Sequence, residues 1–180
     1  MPLNKQTLKK NIMQQGIGMI EMLVALVLLG VGLLGALSLQ ANGLQSNQRA
    51  NFVTEAHFLA QEMADKILAY GSVTSNGNAG ANAGEYNTID TGTTTYVDPG
   101  CGSVGNSCDA LKTVELDSFN WQQHLQDSGL PSARGVVAWD DSVYTIRVMW
   151  DRDRTGAVGT NCSSNDKNTH LTCFEMQVRL

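Results

Sequence analysis

The stretch from Gly16 to Leu39, GIGMIEMLVALVLLGVGLLGALSL, is an almost unbroken apolar run, and it limits what this chain can fold into. A helix from Ile17 to Leu39 rises about 35 Å, enough to cross a hydrocarbon core of about 30 Å. A short basic segment with Lys5, Lys9 and Lys10 precedes the run, and one carboxylate, Glu21, interrupts it. An ionised acid there costs about 2.5–3.5 kcal/mol on insertion scales, less near the interface. So costly a residue points to function.

Set apart from this run, a chain of 180 residues has room for one globular domain. The net charge is −5, but residues 1–16 carry three lysines and no acid, which leaves −8 for the remainder. A phosphate-binding surface needs a basic patch, so no nucleic-acid partner is expected.

The basic flank stays cytoplasmic by the positive-inside rule, which places the rest of the chain in an oxidising compartment. All four cysteines, Cys101, Cys108, Cys162 and Cys173, follow the run. An even count there means disulfides, with three possible pairings. The local pairing, Cys101–Cys108 with Cys162–Cys173, closes the shortest loops and is the expected one. Zinc sites favour closer cysteine pairs than the gaps of six and ten residues found here. No metal or other cofactor is expected.

Residues 1–15 are a polar, basic leader without a periodic apolar face. A secretory signal peptide cut near Ala36-Leu37-Ser38 would explain the lysines, but the run is longer than a usual signal core and carries Glu21. Beyond Leu39 the helical period continues: Phe52, Ala56, Leu59, Met63 and Ile67 define one apolar face. No proline falls between Ile17 and Tyr70, and Gly71 supplies a stop. The spacing predicts one helix over 17–70, apolar all round in its first half and amphipathic in its second. Gly30, Gly32 and Gly35 interrupt the apolar half. They permit close helix packing or give a point where the helix bends, and both follow from the missing side chain.

Residues 71–100 are rich in Gly, Asn, Thr and Ala and read as a long loop, with one short strand near Thr93–Val97. A second helix is predicted from Asp109 to about Leu125, with Leu111, Val114, Phe119, Trp121 and Leu125 supplying apolar bulk. The period then changes to two, and Gly135–Trp139, Val143–Trp150 and Cys173–Leu180 read as strands. Tyr144, Ile146, Val148 and Trp150 alternate with Thr145, Arg147 and Met149, which gives one face to bury. The fold class is therefore α+β: a long N-terminal helix whose C-terminal half packs on a small antiparallel sheet, with a second short helix.

Catalytic chemistry is not evident. His57, His124 and His170 stand in no nucleophile motif, and there is no phosphate-cradling loop and no His-Glu-x-x-His. Asp151-Arg152-Asp153-Arg154-Thr155-Gly156 begins like a calcium loop, but Cys162 stands where the bidentate Glu belongs. A turn after the second strand is the better reading.

A basic leader ending in Gly16, an apolar helix beginning at once, and an acid at its fifth residue resemble the class III signal of type IV pilins and pseudopilins. Ile20 to Leu29, then Gly32-Leu33-Leu34-Gly35 and Leu39-Gln40, resemble the PilV group of minor pilins in particular. The distal part is similar too: the Cys pair, Trp121, Gln122 and Leu125, Leu130-Pro131, the strand from Tyr144 to Asp151, and the closing stretch Cys173–Leu180. The departures are Ile17 in place of the usual Phe, and Gly18 and Met19 in place of a hydroxyl-bearing residue and Leu.

The resemblance implies a pilin-like fold. Residues 1–16 would be a leader, 17–39 the transmembrane and assembly half of the helix, and 40–180 the extracytoplasmic domain, including the amphipathic half at 40–70. Prepilin peptidase would cut between Gly16 and Ile17 and methylate the new amino terminus of Ile17. Glu21 would serve methylation and pair with the terminal amine of a neighbouring subunit. The partners implied are other major and minor pilins, the peptidase, the inner-membrane assembly machinery and, before assembly, the lipid bilayer. The function implied is that of a non-enzymatic minor pilin acting in pilus assembly, twitching motility and adhesion. A minor pseudopilin of a type II secretion system shares the same signal and helix. A membrane-anchored periplasmic enzyme or binding protein is the alternative from another class.

Overall fold

A computed structural model describes residues 18–73, 85–140, 142–162 and 165–179. Gly16, Ile17 and the basic leader lie outside the described residues, as do most of the first part of the 71–100 loop and Leu180. The chain divides into two compact units, Met1–Gln45 and Ser46–Leu180.

A single helix, α1, runs over Met19–Val73 without interruption. The sequence sets its start at the apolar run, and the absence of proline lets it continue. In the first unit its described side chains are exposed on all sides: Leu23 is 62% and Leu28 67% accessible. Length and composition are sufficient to cross a membrane, with a mean hydropathy of 2.6 over the most apolar window. A helix that is apolar all round and unburied needs lipid or other helices about it.

In the second unit α1 changes character. Ala56, Leu59, Ala60, Met63, Ala64 and Ile67 are buried and form one stripe at helical spacing, with Phe52 packed at its edge. The stripe extends the face read from the sequence by Ala60 and Ala64. Burial of each large apolar side chain contributes about 1.5–3 kcal/mol, more than helix propensity supplies per residue. This half is therefore held by packing.

The sheet is antiparallel throughout, in the order β1 (Ile89–Asp90), β2 (Arg134–Asp140), β3 (Val143–Trp150), β4 (Thr172–Arg179). Ile89, Val137, Ile146 and Met176 stand opposite one another across the four strands. Tyr144, Ile146, Val148 and Trp150 are all buried in the core that α1 also lines, which is the alternation read from the sequence. The second helix, α2, spans Ala110–Asp127. Asp109 caps it, its carboxylate accepting from the Lys112 N–H at 2.9 Å.

Three expectations need correction. The strand placed near Thr93–Val97 is absent; β1 lies earlier, and residues 94–99 have no regular structure. The buried Gln122 side chain takes the place of a strand partner. Its carbonyl accepts from the Tyr96 N–H at 2.9 Å, and its amide donates to the Thr94 and Thr91 carbonyls at 2.8 and 3.1 Å. On α2, Leu111 is exposed, and Ser118 occupies an inner position by donating its hydroxyl to the Val114 carbonyl. Finally, the sheet buries part of its second face. Met149 packs with Ala157 and Leu171, because the segment between β3 and β4 folds back over that side.

Candidate functional site

Glu21 sits in the first turn of α1, where the unpaired N–H groups of a helix favour a carboxylate. Its own N–H donates to the Gly18 carbonyl at 2.9 Å, so the turn begins immediately before it. Met19, Ile20, Met22 and Leu23 around it are all exposed. Glu21 has no ion-pair partner among the described residues. A solitary carboxylate on an apolar cylinder is tolerable near an interface and costly deeper in lipid unless a cation joins it. Gly16 and Ile17, the expected cleavage and methylation positions, lie outside the described residues. By sequence, Ile17 precedes Glu21 by about one helical turn.

The four cysteines form two disulfides, Cys101–Cys108 and Cys162–Cys173, the local pairing. The first closes a small loop in which the Gly102 N–H donates to the Asn106 carbonyl at 2.7 Å and the Asn106 amide donates to the Gly100 carbonyl at 2.6 Å. Gly100, Gly102 and Gly105 all have positive φ there, the left-handed region glycine tolerates. The second disulfide ties the return segment to β4, and Cys173 packs on the Met149 cluster.

The three histidines have separate surroundings. The exposed ring of His57 meets Phe174 edge-on at 5.4 Å. His124 Nδ1 lies 2.9 Å from both carboxylate oxygens of Glu62. His170 Nδ1 accepts from the Asn161 N–H at 3.3 Å. The loop that opens like a calcium site is a turn. Asp151 is buried and accepts from the Gly156 and Thr155 N–H groups at 2.7 and 3.1 Å. Asp153 pairs instead with Arg152 and, at 3.8 Å, with Arg49 of α1. Burial opposes the charge on Asp151, but those backbone donors outweigh it and hold the carboxyl below its usual range. No group of three or more His, Cys, Asp or Glu among the described residues is placed to hold a metal ion.

Two charged clusters were not evident from sequence. Lys66 sits 2.8 Å from Glu62, its neighbour one turn back, and 3.9 Å from Asp117 of α2. Tyr86 donates to Asp117 at 2.6 Å, and Tyr70 donates to Glu85. Burial, reinforced by the adjacent carboxylate, pushes the Tyr86 hydroxyl well above its ordinary value, so it remains a donor. Lys66, Tyr70, Tyr86 and Asp117, with Cys108 and Thr113, line a cleft of about 430 Å³. The second cluster is a two-bond pair between Arg134 and Asp90, at 2.9 and 2.5 Å. Gly92 leaves room for it, since a β-carbon there would overlap the guanidinium. The i,i+4 spacing of Glu62 and Lys66 was the one sequence signal for either cluster.

The geometry offers a helix long and apolar enough to cross a membrane, with one acid near its start, and a disulfide-bonded domain whose interior charges are matched locally. No family model, curated protein or solved structure matches this chain.

Proposed function

We propose that this chain is a minor pilin of the PilV type, a non-enzymatic structural subunit that takes part in type IV pilus assembly and initiation, and so in twitching motility and adhesion. In this reading the precursor is held in the inner membrane by residues 17–39, with its globular domain in the periplasm. Prepilin peptidase cuts after Gly16 and methylates Ile17. The apolar half of α1 then leaves lipid for a bundle of like helices in the filament, beside other major and minor pilins.

The observation that carries the reading is α1 itself. One continuous helix has an apolar half exposed all round and an amphipathic half whose stripe is buried in the core of a small α+β domain. That division suits a subunit whose anchor must exchange lipid for neighbouring helices. Glu21 fits the same account: a carboxylate and a terminal ammonium are each costly among apolar helices, tolerable as a pair, and able to set register.

The test is mass spectrometry of the amino terminus of the mature protein. The reading requires a species that begins at Ile17, with added methyl mass on its amine. An intact leader, or a terminus near Ser38, would exclude a pilin. A minor pseudopilin of a type II secretion system would pass that test; recovery of this chain in sheared surface filaments separates the two.

A further inference from the structure

Trp121 of α2 donates its indole N–H to the Leu59 carbonyl of α1, and one turn further along both helices His124 meets Glu62. Beside this seam lies an open groove of about 300 Å³ with Leu59 at its base and Phe58, Glu55, Glu62, His124 and Asp127 around it. Phe58 is 61% accessible, although its neighbour Leu59 is buried. Glu62 is engaged by Lys66 and His124. Glu55 and Asp127, on opposite walls, have neither an ion-pair nor a hydrogen-bond partner among the described residues.

We propose that this groove docks a segment of a partner protein that sets a lysine or arginine beside an apolar side chain. Charge complementarity selects that occupant. The free carboxylates call for a cation, and the exposed Phe58 ring offers both an apolar surface and a face that attracts cations. Anionic lipid headgroups and nucleic acids are repelled by the same two acids. An apolar contact ringed by charge is also the ordinary anatomy of a transient protein interface. The inference stands apart from the pilus reading, because it uses only residues of the globular unit.

The test uses the full chain in a nonionic detergent with 4-fluorophenylalanine at position 58, followed by fluorine NMR. The probes are the peptide acetyl-Leu-Arg-Leu-Arg-amide, its counterpart acetyl-Leu-Glu-Leu-Glu-amide, and calcium chloride alone. The basic peptide should shift the resonance saturably. The pair of substitutions Glu55→Gln and Asp127→Asn should weaken that binding about three- to tenfold, with an unchanged thermal melt. In the unsubstituted chain, raising salt from about 50 to about 500 mM should weaken it as well. The proposal is overturned if the basic peptide gives no saturable shift, if the acidic peptide shifts the resonance equally, or if calcium alone reproduces the effect. Salt-independent binding, or unchanged affinity in the folded double variant, would overturn it too.

Discussion

The ring of Trp121 lies against Gly135, so that a β-carbon on Gly135 would sit 2.7 Å from Leu125 and closer still to the indole. Gly135 faces the core from β2, and Trp121 reaches it from α2 while bonding the Leu59 carbonyl of α1 at 2.8 Å. One side chain thus joins both helices of the globular unit to the sheet, and the strand must lack a side chain to receive it. Gly135→Ala is expected to destabilise the domain by about 1–3 kcal/mol through overpacking. Thermal unfolding of the purified full chain, followed by circular dichroism, checks this; an unchanged midpoint would mean that the contact can relax without cost.

The two fully buried tryptophans should respond differently to the same substitution. Trp121→Phe removes a made hydrogen bond and leaves the space of the lost ring. Trp150→Phe leaves similar space but removes a buried N–H that has no partner among the described residues. An unpaired buried donor costs about 1–3 kcal/mol, so its removal offsets part of the packing loss. Chemical denaturation should show Trp121→Phe as the more damaging change by at least about 1 kcal/mol. Equal losses would show that packing alone decides both.

Acid should weaken the domain through Asp90. Burial opposes its ionisation, but the Arg134 guanidinium and the Gly92 N–H prevail and hold its carboxyl below the ordinary value of 3.8. A depressed folded-state pKa contributes stability above the unfolded value and loses it as pH falls through the folded one. The melting temperature should therefore fall as pH drops below about 4. Asp90→Asn should be less stable at neutral pH and should show a shallower acid-side decline. Parallel pH profiles of the two proteins would remove Asp90 from the account.

Each disulfide shortens the excursions of the unfolded chain, by about 2–3 kcal/mol for loops of these sizes. The packing differs. Cys173 rests on the Met149 cluster at the start of β4, whereas Cys101 and Cys108 close a loop whose tip residue, Val104, is fully exposed. Paired Cys→Ala replacement of Cys162 and Cys173 should lower the melting temperature more than replacement of Cys101 and Cys108. The opposite order would show that the return segment over the outer face needs no tether.

Much of this fold was legible because it is written in period. The four- and three-residue spacing from Phe52 to Ile67 and the two-residue alternation from Tyr144 to Trp150 each report a single buried face. What could not be read are features that depend on pairs distant in sequence. Nothing near Gln122 announces that its amide stands in for a strand, and nothing near Met149 shows that a later segment will cover it. The same holds for Asp90 with Arg134, which lie on different strands. Glu21 is the opposite case. It was conspicuous in sequence because it violates the apolar pattern around it, whereas the paired acids of the domain look like any surface carboxylate until their partners are in place.

Glu21 then gives the sharpest test of the proposed assembly role. Its side chain is exposed and touches no partner among the described residues, so Glu21→Ala should leave the globular domain intact. Removing the charge also makes the helix easier, not harder, to insert in lipid, by about 2.5–3.5 kcal/mol at most. Membrane levels and leader cleavage should therefore be close to normal, while recovery in sheared filaments falls, because the terminal amine of the neighbouring subunit loses its counter-charge. Glu21→Asp, one methylene shorter, should recover incorporation only in part if reach matters. Quantitative immunoblots of membrane and filament fractions give both readouts. Normal filament recovery for Glu21→Ala would refute the pairing role, and a parallel loss from the membrane would point to a folding or insertion defect instead.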